Sequence, residues 1–384
     1  MDKIDGNLVN ALCVEDRTTA IVRVSNPWQM NYIARNFDVV AAFPFIRSLG
    51  IRCNRDEVVR LAGMREVESV SAQGRVCALN GDVKKKSALE CGKRPVSALY
   101  EGGVETAEGG RSDADFAEVF SLHGGGLTGA GVGLCIMDTG ISPHSDFSIP
   151  RDRIKVFKDF VGGSEYPYDD NGHGTFVTGV AAGNGCLSAT KIKGIAPCAD
   201  LVGVKVIGAS GETGTFKILE GMQWVFDNAV KLGVKVVCMS FGADPLASAD
   251  PLKAGAEMLA RRGLTVVCAA GNSGAGGLKS PGISTEAITV GAVDEELKVA
   301  SFSSSGVYQG AYRPDVYAVG VRVRGVEAGG TYSTMSGTSV SAPYVAGACC
   351  LLHQKYARLT PRDAKRMIIA ASREVGGVIV FNPF

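Results

Sequence analysis

The chain of 384 residues is too long for one small domain and suits a large domain with a smaller one beside it. Hydrophobic residues make up 46% and charged residues 21%, as in a soluble protein with a large core, and 50 glycines point to many tight turns. A formal net charge of +1 excludes a general electrostatic pull toward nucleic acid or anionic membranes.

After Met1-Asp2-Lys3 the long apolar run of a secretory leader is missing, and no apolar stretch approaches the ~20 residues that span a bilayer. Eleven cysteines, an odd number without metal-ligand spacing, argue against a disulfide framework. Cys135, Cys238 and Cys268 lie in apolar runs and read as small buried hydrophobes. A reducing cytoplasm is the simplest setting for these features, with signal-independent export left open.

Residues 1–79 form a first unit. Thr19–Val24 and Val39–Ile51 have strand character, Trp28–Arg35 and Arg55–Ala62 have helical spacing, and Val67–Ala78 is extended. Two strand–helix–strand passages of this size predict a small α+β, ferredoxin-like domain. Residues 80–117 are polar and Gly-rich, with Lys84-Lys85-Lys86 and Glu108-Gly109-Gly110, and read as a flexible, protease-sensitive linker.

Over 118–384, short apolar runs alternate with helical patterns. The runs are Val132–Met137, Leu201–Ile207, Val234–Met239, Leu264–Ala269 and Ala287–Val290; the helices are Thr215–Leu232 and Pro251–Arg262. This alternation predicts an α/β fold: a doubly wound, mostly parallel sheet with helices on both faces.

Four residues stand at the ends of these elements. Asp138, in Met137-Asp138-Thr139-Gly140, follows a strand whose C-terminal end faces the ligand crevice of a parallel sheet. It is either a turn cap or a carboxylate placed to accept from an imidazole. His173, between Gly172 and Gly174, precedes an apolar helical pattern and is either a structural hydrogen-bonder or a base; His123, His144 and His353 lack such surroundings. Ser339, in Gly337-Thr338-Ser339-Val340-Ser341-Ala342-Pro343, stands where a helix begins. It is either an N-cap or a nucleophile whose oxyanion meets free N–H groups and the positive end of the helix dipole. Asn272, in Ala269-Ala270-Gly271-Asn272, ends a strand as a turn residue or as an amide aimed at the same crevice.

In the order Asp…His…Ser, with an Asn before the Ser, these motifs resemble the subtilisin-like serine proteases over about residues 127–371. Gly194–Pro197, Met239–Gly242 and Pro314-Asp315 extend the match. The resemblance implies a serine endopeptidase with Asp138, His173 and Ser339 as its triad and Asn272 and the Ser339 N–H as oxyanion donors. It implies a protein or peptide substrate bound as an added strand. That strand would lie between Ser240-Phe241-Gly242 and the 210–216 segment, which includes Gly214 and Phe216. Ala269, Ala270 and Gly271 would wall the pocket for the residue before the scissile bond; Phe241 stays open between pocket and core. The resemblance requires no cofactor. Asp146 matches a position that often binds calcium, but the partner loop at about 183–193 does not resemble the usual calcium loop, so no metal ligand is assigned. Phe176 and Tyr344 stand where histidines are common, at positions outside the triad.

Arg55–Ala62 and Val67–Val70 resemble the last helix and strand of the propeptide of such proteases. The resemblance implies a zymogen in which this unit inhibits the cleft and sends its tail, Arg75–Leu79, into it. The tail stops being strand-like where the linker begins, so Leu79–Asn80 is the expected autocleavage site, with Val76 in a second apolar pocket. Lys86–Leu89 and Val96–Leu99 repeat its Ala-Leu ending, as secondary cuts or by chance. Two other readings keep the fold: a silent pseudoprotease with a regulatory binding role, and a ligase or cyclase that passes the acyl group to an amine.

Overall fold

Alternating apolar residues build the first sheet in the computed structural model, which describes residues 3–79, 126–246 and 249–381. The expected linker, Asn80 and the start of the large unit at 118 lie outside the described residues. Strands β1 (Thr18–Val24), β2 (Asp38–Phe43), β3 (Ser48–Cys53) and β4 (Val67–Ala72) are antiparallel, in the order β2-β3-β1-β4. Helices Trp28–Asn36 and Arg55–Gly63 follow β1 and β3, giving the βαββαβ order of a ferredoxin-like unit. Ile33, Val58 and Leu61 from these helices share a core with Val22, Ile51 and Val70. The second helix begins at a capping box in which Asn54 and Glu57 each accept from the other's N–H at 2.9 Å.

Two expected elements divide. Val39–Ile51 is not one strand, because Pro44 cannot donate to a ladder and instead opens a 3₁₀ turn, Pro44–Ile46, that reverses the chain. Val67–Ala78 breaks at Gln73-Gly74, and β5 (Arg75–Ala78) leaves the first sheet altogether. Helix Gly6–Val14 has no counterpart in the sequence expectation; it buries only Leu8, so its apolar pattern is weak.

The large unit is built on nine strands. These are β6 (Gly133–Asp138), β7 (Ile154–Asp159), β8 (Asp200–Lys205), β10 (Val234–Met239), β12 (Thr265–Ala269), β13 (Ile288–Val293), β16 (Val316–Val319), β19 (Arg373–Val375) and β20 (Val378–Val380). Their order is β19-β20-β16-β13-β12-β10-β6-β8-β7, parallel except for the β19–β20 hairpin. β7 reads Ile-Lys-Val-Phe-Lys-Asp because it is a sheet edge, and that polarity hides it from a search for apolar runs. Two short antiparallel strands, β9 (Glu212–Gly214) and β11 (Phe241–Gly242), lie outside this sheet. So do the hairpins β14 (Gly306–Tyr308) with β15 (Ala311–Arg313) and β17 (Val323–Glu327) with β18 (Thr331–Met335).

The period-2 pleat sorts side chains onto two faces. Leu134 and Ile136 join one core with Val177 of helix His173–Ala182 and Val345 of helix Thr338–Lys355. Cys135 and Met137 join the other with Met222 of helix Thr215–Asn228 and Leu259 of helix Pro251–Arg261. The described cysteines are free, and Cys135, Cys238 and Cys268 are buried as expected. No helix among the described residues is long and apolar enough to cross a membrane.

The second core continues into the small unit. Phe43, Phe45 and Ile46 are buried in it, each such side chain contributing roughly 1.5–3 kcal/mol. The Phe43 and Phe216 rings meet edge-on at 5.5 Å, Phe45 lies 5.8 Å from Phe226, and the Phe45 N–H donates to Gln223 Oε1 at 3.1 Å. Gly50 of β3 makes this approach possible: a Cβ there would lie 2.4 Å from Phe216 Cε2.

Candidate active site

The sheet and one helix start bring Asp138 and His173 into contact, and Ser339 stands at the start of a second helix with its hydroxyl bonded to the Leu79 carbonyl rather than to His173. Asp138 ends β6, His173 opens helix His173–Ala182, and Ser339 is the second residue of helix Thr338–Lys355. All three are buried. Asp138 Oδ1 accepts from the Thr139 N–H and meets His173 Nδ1, both at 2.7 Å. This fixes the imidazole with Nε2 outward, and Nε2 has no hydrogen-bond partner among the described residues. Burial works against the imidazolium, but the Asp138 charge and hydrogen bond, with the Asp169 charge behind them, outweigh it and raise the His173 pKa above 6.5.

The small unit's own tail occupies the cleft. β5 pairs antiparallel with β11 on one side, with Ala78 opposite Phe241, and with β9 on the other, with Val76 opposite Thr213. The Leu79 N–H donates to Ser240 O at 3.2 Å and the Ala78 N–H to Gly211 O at 2.9 Å. The Leu79 carbonyl oxygen then accepts from Asn272 Nδ2 at 2.8 Å and from Ser339 Oγ. Space here is short: a Cβ at Gly337, whose φ is +153°, would lie 2.8 Å from Leu79 O and 2.9 Å from Ser339 Oγ. Asn272 cannot rotate freely, because its Oδ1 accepts from both the N–H and the hydroxyl of Thr338 at 2.9 Å.

Ser240, Phe241, Gly242 and Gly214 lie along the chain's own tail, and Phe241 is fully buried in the same core cluster as Val76. Ala269, Ala270 and Gly271 lead into Asn272 from the end of β12. Phe216 departs from expectation: it belongs to helix Thr215–Asn228 and its ring faces Phe43 and Gly50 rather than pairing with the tail. Thr215 holds the tail instead, exchanging bonds with Gly74 N and O through Oγ1, each at 3.0 Å.

Three residues that brace the site have no role assigned from the sequence, although Thr338 lies inside the Gly337–Pro343 motif. Asp169 accepts from Thr139 Oγ1, from the Asn171 and Gly172 N–H groups, and from Thr175 N and Oγ1, at 2.7–3.1 Å, pinning the start of the His173 helix. Lys205 has a fully buried side chain and donates to Thr139 O, to Asp170 Oδ1 at 2.6 Å and to Ile207 O at 3.0 Å, tying together the loops that follow β6 and precede His173. Thr338, already described, orients Asn272.

The corner at Asp146 does not fit calcium. Both carboxylate oxygens already accept, from the Leu187 and Gly185 N–H groups at 2.9 and 3.2 Å and from Tyr332 OH. The nearby carbonyls of Asp146, Ala182 and Ala199 accept from the buried Arg153 guanidinium. Calcium needs six to eight oxygen ligands, and donors committed to N–H groups and a resident cation do not supply them. No cluster of three or more His, Cys, Asp or Glu among the described residues suits a metal.

Comparison with known proteins agrees with this geometry. Residues 129–384 match the subtilase family of peptidases. The chain is 37% identical over 308 residues to the serine protease AprX of Bacillus subtilis, covering 72% of this chain and 67% of that one. It is 40% identical over 236 residues to subtilisin Savinase of Lederbergia lenta, covering 61% and 81% of the two. A crystal structure of a cold-adapted subtilisin-like serine proteinase superimposes with a TM-score of 0.59 at 28% identity, covering 67% of this chain and 91% of the other. The chain therefore belongs to the subtilase family and is a subtilisin-like serine endopeptidase.

Proposed function

We propose that the chain is made as a zymogen that cuts itself after Leu79 and is then held inhibited by its own residues 1–79. The observation that supports this reading is the Leu79 carbonyl, bonded to both Asn272 Nδ2 and Ser339 Oγ at the end of a strand already paired on both sides. That is where an attacked carbonyl must lie.

Ser339 Oγ attacks the carbonyl carbon while His173 Nε2 takes its proton, and Asp138 orients the ring and supports the imidazolium charge. Negative charge develops on the carbonyl oxygen beside the Asn272 amide and the Ser339 N–H; the neighbouring N–H groups are taken, Thr338 by Asn272 Oδ1 and Val340 and Ser341 by Gly337 O. His173 then gives the proton to the leaving amine, leaving an ester on Ser339 that water hydrolyses by the same route. Every proton and the nucleophile come from the chain and water, so the reaction draws on no cofactor. After cleavage the tail remains a third strand between β9 and β11, and Phe43, Phe45 and Ile46 hold the small unit in place. Protein or peptide substrates replace the tail in the same extended register.

Treating the full chain and Ser339→Ala with a fluorophosphonate probe, followed by intact mass and N-terminal sequencing, tests this. The wild type is expected to begin at Asn80 and, once the small unit has been displaced or degraded, to gain one adduct, and the variant to do neither. A wild type that stays whole, or begins elsewhere than Asn80, would overturn the self-processing reading.

A further inference from the structure

A lysine is buried beside Asp138. Lys205 ends β8 in register with Asp138 at the end of β6, and its side chain is fully buried. Its three ammonium protons are all used: on Thr139 O, on Asp170 Oδ1 at 2.6 Å and on Ile207 O at 3.0 Å. The ring centroid of Tyr168 lies 4.9 Å from the same ammonium, and the Tyr168 hydroxyl donates to Asp159 Oδ2 at 2.8 Å. The residues after Lys205 also hold Asp138, since the Val206 and Ile207 N–H groups donate to its backbone oxygen at 3.0 and 3.3 Å. Burying an ammonium is a poor way to gain stability, because desolvation largely cancels the attraction of its partner. The place of this one is therefore informative. It joins the loop that leaves Asp138 to the loop that delivers His173.

Three carboxylates crowd the same corner. Asp138 meets His173 Nδ1, the Asp169 charge also acts on the ring, and Asp170 pairs with Lys205. Neutral groups complete the surroundings. β10 brings Cys238, whose thiol is pushed up to about 12, chiefly by burial. The second helix brings Ser339, the tail brings the Leu79 carbonyl, and the β17–β18 hairpin packs Gly325 and Val326 on the His173 helix. We propose that Lys205 is a positioning residue for the Asp138–His173 pair and acts through its charge. Its ammonium holds the two loops in register and offsets the carboxylates, so that His173 starts the reaction neutral yet gains its proton readily. This rests on the reading of Asp138 and His173 as the catalytic pair.

The test is the pH profile of kcat/KM on a fluorogenic Val-Ser-Ala-Leu peptide. It is taken after the small unit has been displaced or degraded, with active sites counted by fluorophosphonate. Lys205→Met keeps the stem and removes the charge. Its midpoint is expected to move up, because nothing then offsets the carboxylates that favour the imidazolium. Its plateau is expected to fall about 10- to 100-fold as the loops lose register. Lys205→Arg should keep the wild-type midpoint even where the larger guanidinium lowers the plateau. Asp170→Asn is the mirror case: the amide still accepts the hydrogen bond but leaves the ammonium unpaired, so the midpoint is expected to move down. Midpoints equal to the wild type in both Lys205→Met and Asp170→Asn overturn the proposal, whatever the plateau does. A midpoint in Lys205→Arg that moves with that of Lys205→Met also overturns it, since shape and not charge would then be at work. Because the Asp170 side chain is 40% exposed, its variant decides alone where the Lys205 variants fold poorly. Failure of the catalytic-pair reading looks different: Asp138→Asn then leaves the wild-type rate unchanged.

Discussion

The side-chain amide nitrogen of Asn272 donates to the carbonyl oxygen of Leu79 at 2.8 Å, across 193 residues of sequence. The amide is held for this by Thr338, which gives Asn272 Oδ1 two hydrogen bonds and so leaves Nδ2 facing the carbonyl. Asn272→Ala should lower kcat by about 10²- to 10³-fold with little change in KM, a magnitude taken over from subtilisin, where the matching donor has been removed. Thr338→Val should lose part of the same effect, and Thr338→Ser should recover it, because serine restores the hydroxyl donor. Steady-state kinetics on peptide substrates checks both. A rise in KM with kcat unchanged would show that the amide binds the substrate strand without acting on the developing oxyanion.

If the small unit inhibits as proposed, the aromatic contact sets how long it stays bound. Phe45 is buried among helix residues of the large unit, and Gly50 leaves room for Phe216. Phe45→Ala and Gly50→Val should still process, since neither touches the cleft, but should release the small unit sooner. Truncating a buried aromatic anchor costs about 2–4 kcal/mol at an interface, or roughly 30- to 1000-fold in affinity. The lag between appearance of the cut chain and appearance of peptidase activity should therefore shorten in both variants. An unchanged lag would place the inhibitory hold in the β5 strand alone.

The pH dependence follows from His173. Its pKa lies above 6.5, since burial, the largest single influence, is outweighed by the charge and hydrogen bond of Asp138 together with the Asp169 charge, and only the neutral ring accepts the Ser339 proton. The rate of fluorophosphonate labelling should thus climb with pH through a midpoint above 6.5. Asp138→Asn removes the charge that favours the imidazolium, so the midpoint should fall while the plateau drops by about 10⁴-fold. A midpoint that does not move on that substitution would remove Asp138 from its role.

Which parts of this site were legible in the sequence has a physical pattern. Asp138 and Asn272 end apolar runs, and His173 and Ser339 open helices beside glycines, so each carries a local signal of burial next to a break. The braces carry none. Lys205 reads as the polar end of a strand, and its meaning comes only from Thr139, Asp170 and Ile207, which other loops deliver. Phe216 looked like part of the cleft strand by proximity to Gly214, but Thr215 begins a helix and turns the ring toward Phe43. Pro44 was visible in sequence, and its lack of an N–H is what divides Val39–Ile51 into two strands.

The corner at Asp146 leads to a prediction about metals. Arg153 is buried, and its guanidinium donates to the carbonyls of Asp146, Ala182 and Ala199, of which the first also accepts from the Asn184 N–H at 3.2 Å. Burial lowers its pKa to about 10, which still leaves it charged at neutral pH. Arg153→Met should therefore strand the buried acceptors of Ala182 and Ala199 and cost about 2–5 kcal/mol, lowering Tm by roughly 4–20 °C. A chelator should leave the wild-type Tm unchanged, because the carboxylate of Asp146 is already saturated by the Leu187 and Gly185 N–H groups and Tyr332. Thermal unfolding with and without chelator, on both proteins, separates the cases. A wild-type Tm that drops on chelation and returns with calcium would mean that an ion, and not Arg153, supplies the positive charge at this corner.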